Sequence, residues 1–269
     1  MSIRIAKSDG TTEPFNPGKL VSSLTRSGAA HDVAEHISTE VQRDLYQGIT
    51  TREIYARAFD HLRREKRGTA ARYSLKRAVL EFGPSGFPFE AYIAQLYAAE
   101  GYEVSIDQMI KGTCVEHEVD VVIKKAGTDI TYAEAKFHNT AGFKCDLTVV
   151  LYVKARIDDI GHKGLVVTNT KFTDKAIQFA ECAGLELLGW DYPHGNSLHD
   201  RIDRAKLYPV TALTTLSRRE KTALLNDRVV LCQGLANKGD TLSRAGITGN
   251  KANAVLEEAA ALCVPGYDI

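Results

Sequence analysis

Between Phe87 and Asp191, short runs rich in β-branched and aromatic residues alternate with helix-period segments. "VSIDQMI", "EVDVVI" and "ITYAEAK" lie together; "GLVVT" and "LELLGWD" are set apart by "LTVVLYVKARIDDI" and "FTDKAIQFAECAG", and "FEAYIAQLYAAEGY" precedes them all. Few architectures accept that order. Strands recurring between helices pair into a mixed sheet with helices on both faces, an α/β/α layer domain.

The limits of this unit are written in the chain. "GPSG" at 83–86 puts two glycines, a proline and a serine between strong helical patterns. Upstream, "IRIAKSDGTTEPF" reads as a small hairpin turning at Asp9-Gly10. Asn16-Pro17 then caps a helix, Val33, Ile37, Val41 and Leu45 recur every four residues, and Thr50-x-x-Glu53 is a capping box. "TAARYSLKRAVLEF" predicts one further helix. Downstream, 193–207 reads as a polar connector and the block from Pro209 to Cys263 as helical. The expectation is a multidomain α/β chain: 1–83 helical with a small β-sheet cap, 84–192 the layered domain, 208–269 an all-α bundle.

With 269 residues, 44% hydrophobic and 25% charged, the chain can build a sizeable core. No apolar run approaches the ~18–20 residues that span a bilayer, and "MSIRIAKSDG" lacks the layout of a secretory signal. A cytoplasmic protein with no membrane partner is expected. The five cysteines are scattered without CxxC spacing and read as reduced, mostly buried thiols. Formal charge is zero but unevenly spread: nine basic against three acidic residues over 52–77, ten against sixteen over 85–191, and ten against four over 201–251. Two basic flanks enclose an acidic middle.

The hairpin "EVDVVIKKAGTDITYAEAK" carries Asp120 on one arm and Glu134 with Lys136 on the other. Adjacent strands can bring the two carboxylates to one end, with the Ala135 carbonyl as a third oxygen, and Lys136 shares the face of Glu134. Mg²⁺ or Mn²⁺ takes such oxygen donors and stabilises charge in phosphodiester hydrolysis. The alternative is an exposed cross-strand ion pair worth about 0–1 kcal/mol. Glu116, His117 and Glu118 precede Asp120; in a regular strand Glu116 and Glu118 share its face, but they read as solvated charges at a strand entrance.

The order "GFPFEAYIAQLYAAEGYEV", "HEVDVVI", "YAEAK" and "GLVVTNTKFTDKAIQFAECAGLELLGWD" resembles the Mrr-type branch of the PD-(D/E)xK restriction endonucleases, over about 84–192. That resemblance implies Asp120 and Glu134 as metal-binding acids, Lys136 as catalytic lysine and Glu90 as an acid contributed by the first helix. Many members carry glutamine where this chain has Glu134. Residues 2–82, with "IAKSDGTTEPFNPGKL" and "RYSLKRA", resemble the ATP-cone of ribonucleotide reductases and their repressors. This implies ATP or dATP as effector, with Lys7 and Lys19 facing the phosphates; Ser8 stands where that family usually has arginine, and Arg72 and Arg77 are weaker candidates. No P-loop is present, so the nucleotide is expected to be bound rather than hydrolysed.

The stretch "LNDRVVLCQGLANKGDTLSRAGITGNKANAVLEEAAAL" resembles a helix-hairpin-helix module, particularly the C-terminal domain of the bacterial RNA polymerase alpha subunit. Gly246 and Gly249 permit a tight turn where amides approach a phosphate, and Lys251 adds a cation. A bundle whose glycines merely turn the chain, with Val255, Ala259 and Leu262 as core, is the alternative. Together the resemblances imply a metal-dependent endonuclease that holds double-stranded DNA, responds to nucleotide and serves restriction or phage defence, with a homo-oligomer expected. The competing expectations are a nucleotide-responsive DNA-binding regulator with an idle nuclease fold, and an ATP-cone that mediates assembly.

Overall fold

The computed structural model describes residues 3–7, 10–65, 67–125, 129–140, 142–236 and 239–263. The chain opens with β1 (Arg4–Ala6) antiparallel to β2 (Thr12–Pro14), Ile5 opposite Glu13; Ser8 and Asp9 of the expected turn lie outside the described residues. Helices α1 (Pro17–Arg26), α2 (His31–Arg43) and α3 (Thr51–Glu65) follow. Asn16 caps α1 by accepting from the Lys19 amide. At α3 the Glu53 amide donates to Thr50 Oγ1 at 3.1 Å, while the Thr50 amide donates to the Glu53 carboxylate at 3.0 Å. Leu24, Ile37, Val41, Ile54 and Leu62 close a core beneath the hairpin.

The single helix expected next is two, α4 (Arg67–Tyr73) and α5 (Leu75–Leu80). They break at Ser74, whose hydroxyl donates to the Ala71 carbonyl at 2.9 Å and competes with the helical ladder. Ala70 faces the first core, whereas Ala71, Leu75, Val79 and Phe82 enter a second, larger one.

The layered unit comprises α6 (Phe87–Ala99), β3 (Glu103–Lys111), β4 (Glu116–Lys124), β5 (Ile130–Lys136), β6 (Lys144–Cys145), α7 (Leu147–Ile160), β7 (Lys163–Thr168), β8 (Lys171–Phe172), α8 (Asp174–Ala183) and β9 (Glu186–Leu188). Its mixed sheet runs β3-β4-β5-β7-β9, antiparallel from β3 to β5 and parallel from β5 to β9. Val121, Ile123, Ala133 and Leu165 meet α6 on one face; Val122, Tyr132 and Val166 meet Val150 and Val153 of α7 and Ala176 of α8 on the other. Gly164 allows that second layer to close, since a Cβ there would stand 2.6 Å from Ile157 and Leu185.

The supposed polar connector 193–207 contains a helix, α9 (Leu198–Ala205), entered through a Ser197/Asp200 capping box. Leu198, Arg201 and Ile202 form its buried stripe, and the buried Arg201 pairs with Glu100 and donates to Tyr97 Oη at 2.9 Å. A charge thus sits where an apolar residue is expected. A 3₁₀ turn (Val210–Ala212), α10 (Arg218–Asn226), α11 (Gln233–Ala236), α12 (Gly239–Arg244) and α13 (Gly249–Cys263) complete the chain, with Val255, Ala259 and Leu262 buried as expected.

The large core is continuous from Ala71 and Phe82 through α6 and α9 to Leu262 of α13. Tyr92 Oη donates to the Leu207 carbonyl at 2.7 Å, and Thr211 Oγ1 donates to the Ala78 carbonyl at 2.7 Å, both buried. Only Cys145 and Cys232 are buried; Cys114 and Cys182 are exposed and Cys263 is intermediate, so the thiols are less buried than expected. Among the described residues no helix is long and apolar enough to cross a membrane.

Candidate active site

In the β4–β5 pair Val121 lies opposite Ala133; continuing that register sets Asp120 beside Glu134. Asp120 Oδ2 accepts the Ala135 amide at 2.7 Å. Glu134 is only 5% exposed, and its carboxylate is held between the Lys136 ammonium and the Arg156 guanidinium. Burial excludes the exposed ion pair considered from sequence: a carboxylate so withdrawn from water must be compensated, and here two cations do it. Arg156 comes from α7, where its guanidinium also donates to the Glu118 carbonyl at 2.9 Å and to Tyr152 Oη at 2.7 Å.

Glu90 lies half-buried in the first turn of α6. Burial, then the negative field of Asp120 and Asp107, pushes its carboxyl up to about 7. Burial and the neighbouring Glu134 raise Asp120 to about 6, against the opposing pull of the Ala135 amide. Asp107 interrupts β3 with φ 52, in the left-handed region that costs a non-glycine residue about 1–2 kcal/mol. The β3–β4 register, Ile106 opposite Val121 and Gln108 opposite Val119, brings it level with Asp120. Glu116 and Glu118 are exposed, as solvated strand-entrance groups should be.

Among the described residues, no three histidine, cysteine or acidic side chains converge closely enough to hold an ion alone. A hard divalent ion needs only one or two carboxylates, waters and substrate oxygens. Asp120 and Glu134 are donors of that kind, and burial together with neighbouring carboxylates raises Asp120 and Glu90. Such carboxylate oxygens are the donors a hard divalent cation takes, though here Glu134 is held by Lys136 and Arg156.

At the N-terminal end Lys7 and Lys19 converge on one carboxylate: Glu13 receives them at 2.7 and 3.1 Å, and both lower its pKa. An anion thus already sits where the two ammoniums point. Arg77 pairs with Glu81 at 2.9 Å, and the Arg72 Nε is buried without a hydrogen-bond partner among the described residues. At the C-terminal end Gly246 and Gly249 adopt φ 77 and 57 around the turn into α13, conformations that favour glycine. Lys251, in the first turn of α13, is paired with Glu220 at 2.7 Å.

Sequence spacing did not reveal Arg156, Asp107 or Glu13. Only Arg156 left a trace, as a cation four residues after Tyr152 on an otherwise apolar helix face.

Three family models match: the ATP cone domain over residues 3–79, the Mrr_cat restriction endonuclease model over 84–191, and the model described as AF1548-like, C-terminal, over 208–263. An uncharacterised protein of Archaeoglobus fulgidus is 31% identical over 172 residues, 62% of this chain and 97% of the relative. The crystal structure of the protein of unknown function AF1548 superposes with a TM-score of 0.57 at 29% identity, covering 66% of this chain and 98% of that one. The MspJI restriction endonuclease, solved with a 27-mer oligonucleotide, gives a TM-score of 0.38 at 14% identity over 71% of this chain and 40% of its own.

Proposed function

The chain belongs to the AF1548-like family and joins a restriction-endonuclease domain to an ATP cone, and we propose that it is a Mg²⁺- or Mn²⁺-dependent endonuclease of double-stranded DNA under nucleotide control. In this proposal residues 1–83 sense nucleotide, 84–192 cut, and 208–269 hold the duplex behind the segment 193–207. One observation supports it most: a buried glutamate and its lysine share a strand end with a half-buried aspartate.

Asp120 and Glu134, with the Ala135 carbonyl, would hold the divalent ion, which supplies charge stabilisation at the scissile phosphate. Lys136 keeps its ammonium beside Glu134 and faces the charge developing on the phosphate oxygens. Glu90 would accept a proton from the attacking water. Gly246, Gly249 and Lys251 contact the backbone of the duplex and read no sequence. Lys7 and Lys19 exchange Glu13 for the phosphates of ATP or dATP. A homo-oligomer, a cytoplasmic location and a role in restriction or phage defence complete this proposal.

The test is plasmid nicking across Mg²⁺ or Mn²⁺ and a series of nucleotides. Nicking that is lost in Asp120→Ala is the expected result; absence of nicking under every combination overturns it. A second reading rests on Glu134 being fully engaged by Arg156 and Lys136: a nucleotide-responsive DNA-binding regulator with an idle nuclease fold. It requires duplex binding without cleavage. Titration calorimetry with ATP and dATP on wild type and Lys7→Ala tests the effector site, equal heats removing Lys7 from it.

A further inference from the structure

The two basic stretches, far apart in sequence, are brought to one cleft. α4 packs against α13, close enough that a Cβ at Gly68 would reach the Ala261 methyl at 4.0 Å. Beside that contact lies an open cleft of about 550 Å³, walled by Arg63 and Arg64 at the end of α3, Arg67 at the start of α4 and Lys251 on α13. All four side chains are exposed.

The floor is Thr214 and Thr215, and it is rigid. The buried Glu258 carboxylate accepts the Thr214 amide at 2.8 Å, its hydroxyl at 2.6 Å and the Thr215 amide at 2.9 Å. The Thr215 hydroxyl is buried without a hydrogen-bond partner among the described residues. Local acids meet two of the four cations: Glu220 pairs with Lys251, and Asp60 stands 3.9 Å from Arg63. In a chain of zero formal charge this concentrates cations on one open groove.

We infer that this cleft is a phosphate-binding site shared by the ATP cone and the C-terminal bundle, and that it takes the phosphodiester backbone of duplex DNA. The inference rests on the nuclease proposal for its choice of polymer and adds a second domain to the DNA contact. Phosphate chemistry follows from the guanidinium forks, which match phosphate oxygens. A polymer is favoured over a free nucleotide because the groove is open and, among the described residues, no aromatic side chain lines it to stack a base; small-ligand sites enclose about 70–90% of their ligand.

The experiment is fluorescence anisotropy of a labelled 30-base-pair duplex with the full chain in EDTA, across a salt series. Each phosphate contact contributes about 0.9 to the slope of log K against log salt. Replacing Arg63, Arg64 and Arg67 together by alanine should lower that slope by about 2–3 and weaken binding about 10-fold or more near 0.1 M salt. The lysine triple variant should keep the slope, and both should retain wild-type ATP heats and circular dichroism. If the alanine variant misfolds, Arg64→Ala and Arg67→Ala singly should each remove about 0.9. An unchanged slope overturns the inference, as does loss of ATP binding with duplex binding intact, or a wild type that binds no duplex. Plasmid nicking by the same wild-type protein in Mg²⁺ reports separately on the nuclease proposal.

Discussion

Replacing Arg156 by methionine keeps an aliphatic side chain on α7 and removes the guanidinium. Three partners lose their donor: the Glu134 carboxylate, the Glu118 carbonyl and Tyr152 Oη. Breaking a buried ion pair costs about 3–5 kcal/mol when the remaining charge is stranded. Lys136 still faces Glu134, which moves the expectation toward the value of a charged hydrogen bond, about 2–3 kcal/mol. Urea unfolding followed by the single tryptophan, Trp190, buried in the same core as α6, reads this loss. The decisive measurement is the cycle with Glu134→Gln. Once the carboxylate is neutral there is no charge to strand, so Arg156→Met should cost much less in that background. Additivity within about 0.5 kcal/mol would show that the two side chains do not stabilise each other and would refute the account.

Glu53 is held down to about 2 by hydrogen bonds from Tyr46 and Thr50. A depressed carboxylate contributes stability above its ordinary value of 4.5 and loses it as pH falls toward 2. Glu53→Gln should therefore flatten the circular-dichroism pH profile in that window, and an unchanged profile rejects the cap. Asp159 accepts the Cys114 amide at 2.8 Å and raises the Cys114 thiol pKa, so Asp159→Asn in a Cys182→Ser background should speed thiol modification at pH 8; a slower or equal rate contradicts it. Gly246→Ala forces a side chain into φ 77 and should lower the thermal midpoint by an amount equivalent to about 1–2 kcal/mol, whereas an unchanged midpoint would mean that the turn relaxes.

What could be read in the chain was what repeats locally. Strand and helix periods near 2 and 3.6 residues place β3, β4, β5, β7, β9 and α6 to α8, though not the two-residue strands β6 and β8, and the hairpin alone brings Asp120 beside Glu134. What escaped depends on partners far along the sequence. Arg156 reaches Glu134 only because α7 covers that sheet face. The 193–207 stretch looks polar because Arg201, central to its buried stripe, meets Glu100 across 101 positions. Ser74 splits a helix through one hydroxyl, a choice that propensity leaves open.

The continuous core from Ala71 to Leu262 leaves no slack between α4 and α5 and the end that carries Lys251. Beads on a string could each change shape in private. Here any reshaping of α4 and α5 must push on α13 and α6 directly, so removing the first 83 residues would strip a wall from the remaining fold, leaving Tyr92 and Phe137, the ring partners of Phe82, facing water.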